Sequence, residues 1–194
     1  CAPRSHPRRR PRFGPFAAPQ HRRPAPPLHW ITVPVVTALR TFAAVALALA
    51  GCMNSSAAPQ TRFTLLDGSS RTTADLQGKV ALINFWATSC TTCVAEMPML
   101  VSTHEKFRSR GYETIAVAMS YDPPAYVVNF AQTRKLPFPV AIDNTGAVAK
   151  AWGDVKLTPT TFLVNKRGEI VKRFVGKPDF DQLHQLIDQL LSES

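Results

Sequence analysis

A chain of 194 residues allows one folded domain with tails. Its net charge of +10 raises a nucleic-acid role, but residues 1–52 hold eight Arg and no acidic residue, leaving 15 basic against 13 acidic residues beyond them. A folded part so nearly balanced offers no basic patch, and nucleic-acid binding is excluded on that ground.

Residues 1–34 contain nine Pro and seven Arg with no apolar periodicity, a composition that cannot bury a core and predicts disorder. The chain opens on Cys1, and the expectation is that translation starts near Val33, Val35 or Val36. Residues 35–52 read as a signal peptide: Arg40 precedes an apolar run of about ten residues, too short to cross a bilayer. The run ends in Leu49-Ala50-Gly51-Cys52, which resembles the bacterial lipobox. That resemblance implies a diacylated Cys52 as the mature N-terminus; ordinary cleavage after Ala50 would leave Cys52 as an odd thiol. Residues 53–61 are expected to be a polar tether, and residues 62–194 the folded domain.

Within the domain, Phe63 to Leu66 with the Asp67-Gly68 turn predicts an edge strand or hairpin. Val80 to Trp86 is a continuous apolar run broken by Asn84 and predicts a buried strand. Thr88 and Ser89 are suitable N-caps for a helix from about Thr91 to Ser109, which carries Pro98 and should kink there. Thr114 to Met119 predicts a second buried strand, Pro123-Pro124 the start of a helix to about Lys135, and Phe138 to Asp143 a third strand. A short helix, Ala147 to Trp152, precedes two strands, Thr160 to Val164 and Glu169 to Val175, joined tightly enough for an antiparallel hairpin. Asp179 caps a last helix with Phe180, Leu183, Leu186, Ile187 and Leu190 on one face. The sum is an α/β domain with a mixed sheet.

Cys90 falls where the strand turns into the helix. The unpaired N–H groups and positive dipole end at that position stabilise an anion, and a thiolate so placed can have its pKa lowered from about 8.5 into the range ~3.5–7.5. Cys93 lies one turn deeper, within disulfide reach and more shielded. Cys90 is therefore the attacking thiol and Cys93 the resolving one. Zinc would need four ligands, and beyond Cys93 the chain offers only His104 and His184. A structural disulfide across two residues would staple almost nothing. Redox chemistry remains.

These residues carry a family resemblance. Gly78-Lys79-Val80, Asn84-Phe85-Trp86-Ala87, the pair Cys90 and Cys93, Glu96-Met97-Pro98 and, farther on, Leu157-Thr158-Pro159-Thr160-Thr161-Phe162 resemble the thioredoxin superfamily, most closely its bacterial TlpA-like and ResA-like thiol–disulfide oxidoreductases. The resemblance spans roughly residues 60–191. It implies a thioredoxin-like fold with helices flanking the sheet, and it identifies the strand–helix–strand unit around residues 114–143 as an insertion. It further implies that Pro159 is cis beside the cysteines, that the Thr158 backbone grips the partner, and that Trp86 packs beneath the active-site loop. Trp86, Thr158 and Pro159 form the expected substrate-binding set. Cys90, Cys93, Glu96 and Pro159 form the expected catalytic set, Glu96 exchanging a proton with Cys93. Ser89 and Thr92 stand where relatives often have Trp and Pro, and Thr160 where cytochrome-c-maturation relatives have Glu.

The function so implied is membrane-anchored reduction of disulfides in envelope proteins, on the periplasmic side, by a monomer without metal, flavin or nucleotide. The partners are disulfide-containing substrates and a membrane electron donor that restores the dithiol. Two rivals are a peroxiredoxin-like thiol peroxidase, disfavoured because no Arg or Lys lies between Lys79 and Lys106, and a copper-binding chaperone using Cys90 and Cys93 as ligands.

Overall fold

The computed structural model describes residues 56–193; the leader, the signal-peptide core, Cys52 and the start of the tether lie outside the described residues. In chain order these form β1 (Ser56–Ala57), β2 (Arg62–Thr64), β3 (Ser70–Thr72), β4 (Val80–Trp86), α1 (Thr91–Phe107), β5 (Tyr112–Ala118), α2 (Pro124–Thr133), β6 (Val140–Ile142), α3 (Ala147–Ala151), β7 (Thr160–Val164), β8 (Glu169–Val175) and α4 (Phe180–Ser192). Six strands make a mixed sheet in the order β1-β8-β7-β4-β5-β6. The pairs β4–β5 and β5–β6 are parallel, while β4–β7, β7–β8 and β8–β1 are antiparallel.

The central position of β4 follows from its sequence: all seven residues are buried, as expected of a strand covered on both faces. Alternate side chains serve two separate cores. Val80, Leu82 and Trp86 pack with Met97, Leu100 and Phe107 of α1, Val127 of α2, and Leu183, Ile187 and Leu190 of α4. Ala81, Ile83 and Phe85 pack on the opposite side with Phe63, Val148, Trp152 and Phe162. Helices α1, α2 and α4 thus cover one face, and α3 with the β2–β3 hairpin covers the other.

Among the boundaries that differ from the sequence expectation, three have a local cause. The sequence assigns residues 53–61 to a tether, but Ser56 and Ala57 pair with Ile170 and Glu169, and the buried Ala58 donates its N–H to Gly168 O at 2.8 Å. The domain therefore begins earlier; a two-residue edge strand is too short to leave a periodic signal. Helix α1 runs through Pro98 but stops at Phe107, followed by a 3₁₀ turn at Arg108–Arg110 and Gly111 at φ 88°, the left-handed geometry glycine adopts at low cost. Its N-cap is Cys90, neither Thr88 nor Ser89. Asp179 does cap α4, accepting the N–H groups of Asp181 and Gln182 at 3.0 Å.

Candidate active site

The end of β4 delivers the reactive pair. After Trp86 the chain turns, Cys90 N–H donating to Ala87 O at 3.1 Å, and α1 begins at Thr91. Cys90 and Cys93 are joined in a disulfide, with Cα atoms 5.2 Å apart. As N-cap, Cys90 accepts the Cys93 N–H on its Sγ at 3.1 Å. The helix thus aims an otherwise unpaired donor at the sulfur that would carry negative charge once the disulfide opens. Cys93 is fully buried, whereas Cys90 is half-buried. This asymmetry lets an incoming sulfur reach Cys90 and keeps Cys93 out of its path.

Glu96 lies one turn below Cys93 and is wholly buried. Asn84, the one amide in β4, shares the face of Val80, Leu82 and Trp86 and so points toward α1. Its Nδ2 donates to Glu96 Oε1 and to Thr161 Oγ1, each at 3.0 Å. Thr161 is the residue opposite Asn84 in the β4–β7 register. Glu96 Oε2 and Asn84 Oδ1 have no hydrogen-bond partner. Burial raises the Glu96 carboxyl to about 7, against the opposing effects of the Asn84 hydrogen bond and the Lys177 charge. A carboxyl group poised there exchanges protons near neutrality.

The second wall comes from the loop before β7. The Thr158-Pro159 bond is cis, and Gly176 N–H donates to Pro159 O at 2.8 Å. Because Thr160 pairs with Phe85, this loop lies at the end of the sheet from which the Cys90 turn departs. Pro159 is buried and Thr158 half-buried, while Leu157 is 66% exposed. Tyr121, 57% exposed, brings its hydroxyl within 3.2 Å of Thr158 Oγ1.

Trp86 has the buried, structural place expected of it beneath the turn, and it offers no surface for the substrate contact also expected of it. Its ring is fully buried and lies 5.0 Å from the Phe130 ring, centroid to centroid. It forms a floor between β4 and α2, and a docked polypeptide would not touch it. His104 sits away from the pair, buried against Phe138 and Tyr112; its pKa is lowered by burial. Cys52 lies outside the described residues. Sequence reasoning missed Asp122 and Tyr121, and it saw Asn84 without its partner. An amide inside an apolar strand was the available signal for Asn84; nothing in the spacing pointed to the other two.

Comparisons with known proteins agree with this geometry. The chain matches the Redoxin family over residues 53–187. It is 35% identical over 133 residues to the thiol-disulfide oxidoreductase ResA of Bacillus thuringiensis subsp. konkukian, covering 69% of this chain and 76% of that one. The ResA of Geobacillus thermodenitrificans is 33% identical over 135 residues, covering 70% and 76%. Among solved structures, a protein from Neisseria meningitidis described as a thioredoxin superposes with a TM-score of 0.67 at 42% identity, covering 71% of this chain and 91% of that one. DsbF of MTB, in mixed oxidised and reduced forms, gives 0.62 at 26% identity, covering 70% and 98%. With a redox pair at a helix N-terminus, a cis proline loop at the same end of the sheet and these relatives, the chain belongs to the Redoxin family of the thioredoxin superfamily, as a thiol–disulfide oxidoreductase of ResA-like type.

Proposed function

We propose that this protein is a lipid-anchored reductase of disulfides in cell-envelope proteins, facing the periplasm. The observation that carries the reading is the unequal burial of the two sulfurs, with a buried Glu96 beneath the inner one. The Cys90 thiolate attacks one sulfur of a substrate disulfide; the Cys90–substrate bond forms as the substrate S–S bond breaks, and the departing thiolate takes a proton from solvent. Cys93 then gives its proton to the Glu96 carboxylate and attacks Cys90. The intramolecular disulfide forms, and the second substrate thiolate leaves. Two electrons have passed to the substrate. A membrane dithiol donor restores the pair: one donor thiolate attacks Cys90 as the Cys90–Cys93 bond breaks and Cys93 takes the Glu96 proton, and the donor's second thiolate then closes the donor disulfide and releases the Cys90 thiolate.

The substrate is a polypeptide whose disulfide can enter beside Thr158, with Leu157 and Tyr121 as exposed apolar contacts. Apocytochromes and copper-site proteins are the envelope classes for which a reduced cysteine pair matters before assembly. Support for the anchor is the Arg40-to-Cys52 pattern. The protein acts as a monomer, since one chain supplies both cysteines and the proline loop.

Trapping tests the cycle. Cys93→Ser removes the resolving thiol, which otherwise acts at high effective concentration, so mixed disulfides should accumulate as reductant-sensitive bands whose partners mass spectrometry identifies. Cys90→Ser should trap far less, because Cys93 is buried. Trapping by Cys90→Ser alone would reverse the roles, and no trapping by either under turnover overturns the reductase cycle. A glutathione titration tests direction: a potential near about −120 mV, in the range of strong oxidants, would make the protein an oxidase.

A further inference from the structure

The loop from Met119 to Pro123 connects β5 to α2. Asp122, only 2% exposed, accepts twice from Thr88: its Oδ2 takes the backbone N–H at 2.6 Å and its Oδ1 the hydroxyl at 2.5 Å. Such short, paired contacts to one buried carboxyl group are among the stronger hydrogen bonds available to a turn. Thr88 stands two residues before Cys90, in the middle of the turn that carries the nucleophile. The same loop makes two further ties. Met119 N–H donates to Trp86 O at 3.0 Å, and Tyr121 reaches Thr158 in the cis proline loop.

An aspartate ahead of Pro123-Pro124 has an ordinary role available to it, capping the helix that follows. That is not where its side chain goes. The N-cap of α2 is Pro123, with no side-chain cap bond, and both Asp122 oxygens are engaged by Thr88.

We propose that Asp122 is a positioning residue for thiol–disulfide exchange: by pinning Thr88, it holds the Cys90 turn where Cys90 faces Cys93. A held turn raises the effective concentration of each sulfur toward the other and favours the disulfide over the dithiol. Releasing the turn therefore makes the disulfide easier to reduce. The inference rests on the Cys90–Cys93 pair cycling, not on the net direction of the physiological reaction.

The test is the equilibrium of the full chain with glutathione, read alongside circular dichroism to confirm the fold. Asp122→Ala should shift the equilibrium toward the dithiol by about tenfold, roughly 30 mV for a two-electron couple. Thr88→Val keeps the backbone bond and loses the hydroxyl bond, so its shift should be smaller, about threefold. Asp122→Asn should lie within about twofold of wild type, because an amide can accept the Thr88 N–H and donate to the Thr88 hydroxyl oxygen. The double variant Asp122→Ala/Thr88→Val should shift no further than Asp122→Ala, the two residues sharing one interaction. A folded Asp122→Ala with the wild-type equilibrium overturns the proposal, as does Asp122→Asn shifting as far as Asp122→Ala. If Asp122→Ala does not fold, an unshifted Thr88→Val overturns it. Failure of the wild-type pair to equilibrate with glutathione at all would instead sink the exchange reading, and the same titration shows it.

Discussion

Glu96 stores a pH dependence that can be read in stability as well as in rate. Its carboxyl is raised from an ordinary 4.5 to about 7, chiefly by burial. Between those values the native state holds a proton that the unfolded chain has lost. The contribution is therefore full below about 4.5 and declines as pH rises through about 7, a change of about 3 kcal/mol. His104 and His184, whose pKa values burial lowers, act in the opposite sense, adding stability as pH rises toward 6.5. The difference between wild type and Glu96→Gln isolates the glutamate. Urea unfolding across pH 4.5 to 8 should show the wild type losing about 3 kcal/mol relative to the variant over that range; parallel curves would mean that Glu96 does not titrate inside the fold. In exchange, Glu96→Gln should slow resolution of a Cys90 mixed disulfide by about a hundredfold, the low end of general acid–base catalysis. A stopped-flow assay with a small disulfide should show this slowing, with the first attack by Cys90 left unchanged.

At the scale of elements, the two cores make different demands. Trp152, at the end of α3, is 2% exposed and packs its ring on Phe63, Phe85 and Phe162 while its Nε1 donates to Thr61 Oγ1 at 3.0 Å. Trp152→Ala should cost about 3–5 kcal/mol in urea unfolding yet leave the glutathione equilibrium unchanged, because this core lies across the sheet from α1. A shifted equilibrium would show that the two cores are coupled through β4. Most elements were legible because each carried its own period or cap: the apolar run of β4, the Pro123-Pro124 start of α2, the Asp179 cap and stripe of α4. The pair at Cys90 and Cys93 was legible too, since its chemistry depends on a local strand-to-helix turn. What stayed hidden depends on contacts distant in sequence. Asp122 and Thr88 lie 34 residues apart, and Asn84 finds Glu96 only once the face of β4 that meets α1 is known. Trp86, expected both beneath the active-site loop and among the substrate contacts, has its ring in the floor beneath α2.

For the whole molecule, the charge map and the sheet register bear on how the domain would stand at a membrane. The basic excess lies in residues 1–52, so the folded part has little net attraction to anionic lipid, and retention there would fall to an acyl group on Cys52. Three residues separate Cys52 from Ser56, four Cα–Cα steps or about 14 Å of fully extended chain. Across the sheet Ser56 pairs with Ile170, Ile170 with Val164 and Val164 with Ala81, five residues before Trp86. The chain thus enters the sheet about 16 Å along the strand from the end that carries the Cys90 turn. An acyl group on Cys52 would hold the β1 edge close to the bilayer and leave the redox turn at the other end, open to envelope proteins. Nothing in the Cys90–Cys93 geometry draws on the anchor. Cys52→Ala should accordingly abolish acyl labelling and release the protein from membranes, while its equilibrium with glutathione stays within about twofold of wild type. Mixed disulfides trapped in a Cys93→Ser background should persist with soluble substrates and fall with membrane-bound ones. A wild-type protein with no acyl mass, or a Cys52→Ala protein that remains on membranes, would remove the anchor and leave the exchange chemistry intact.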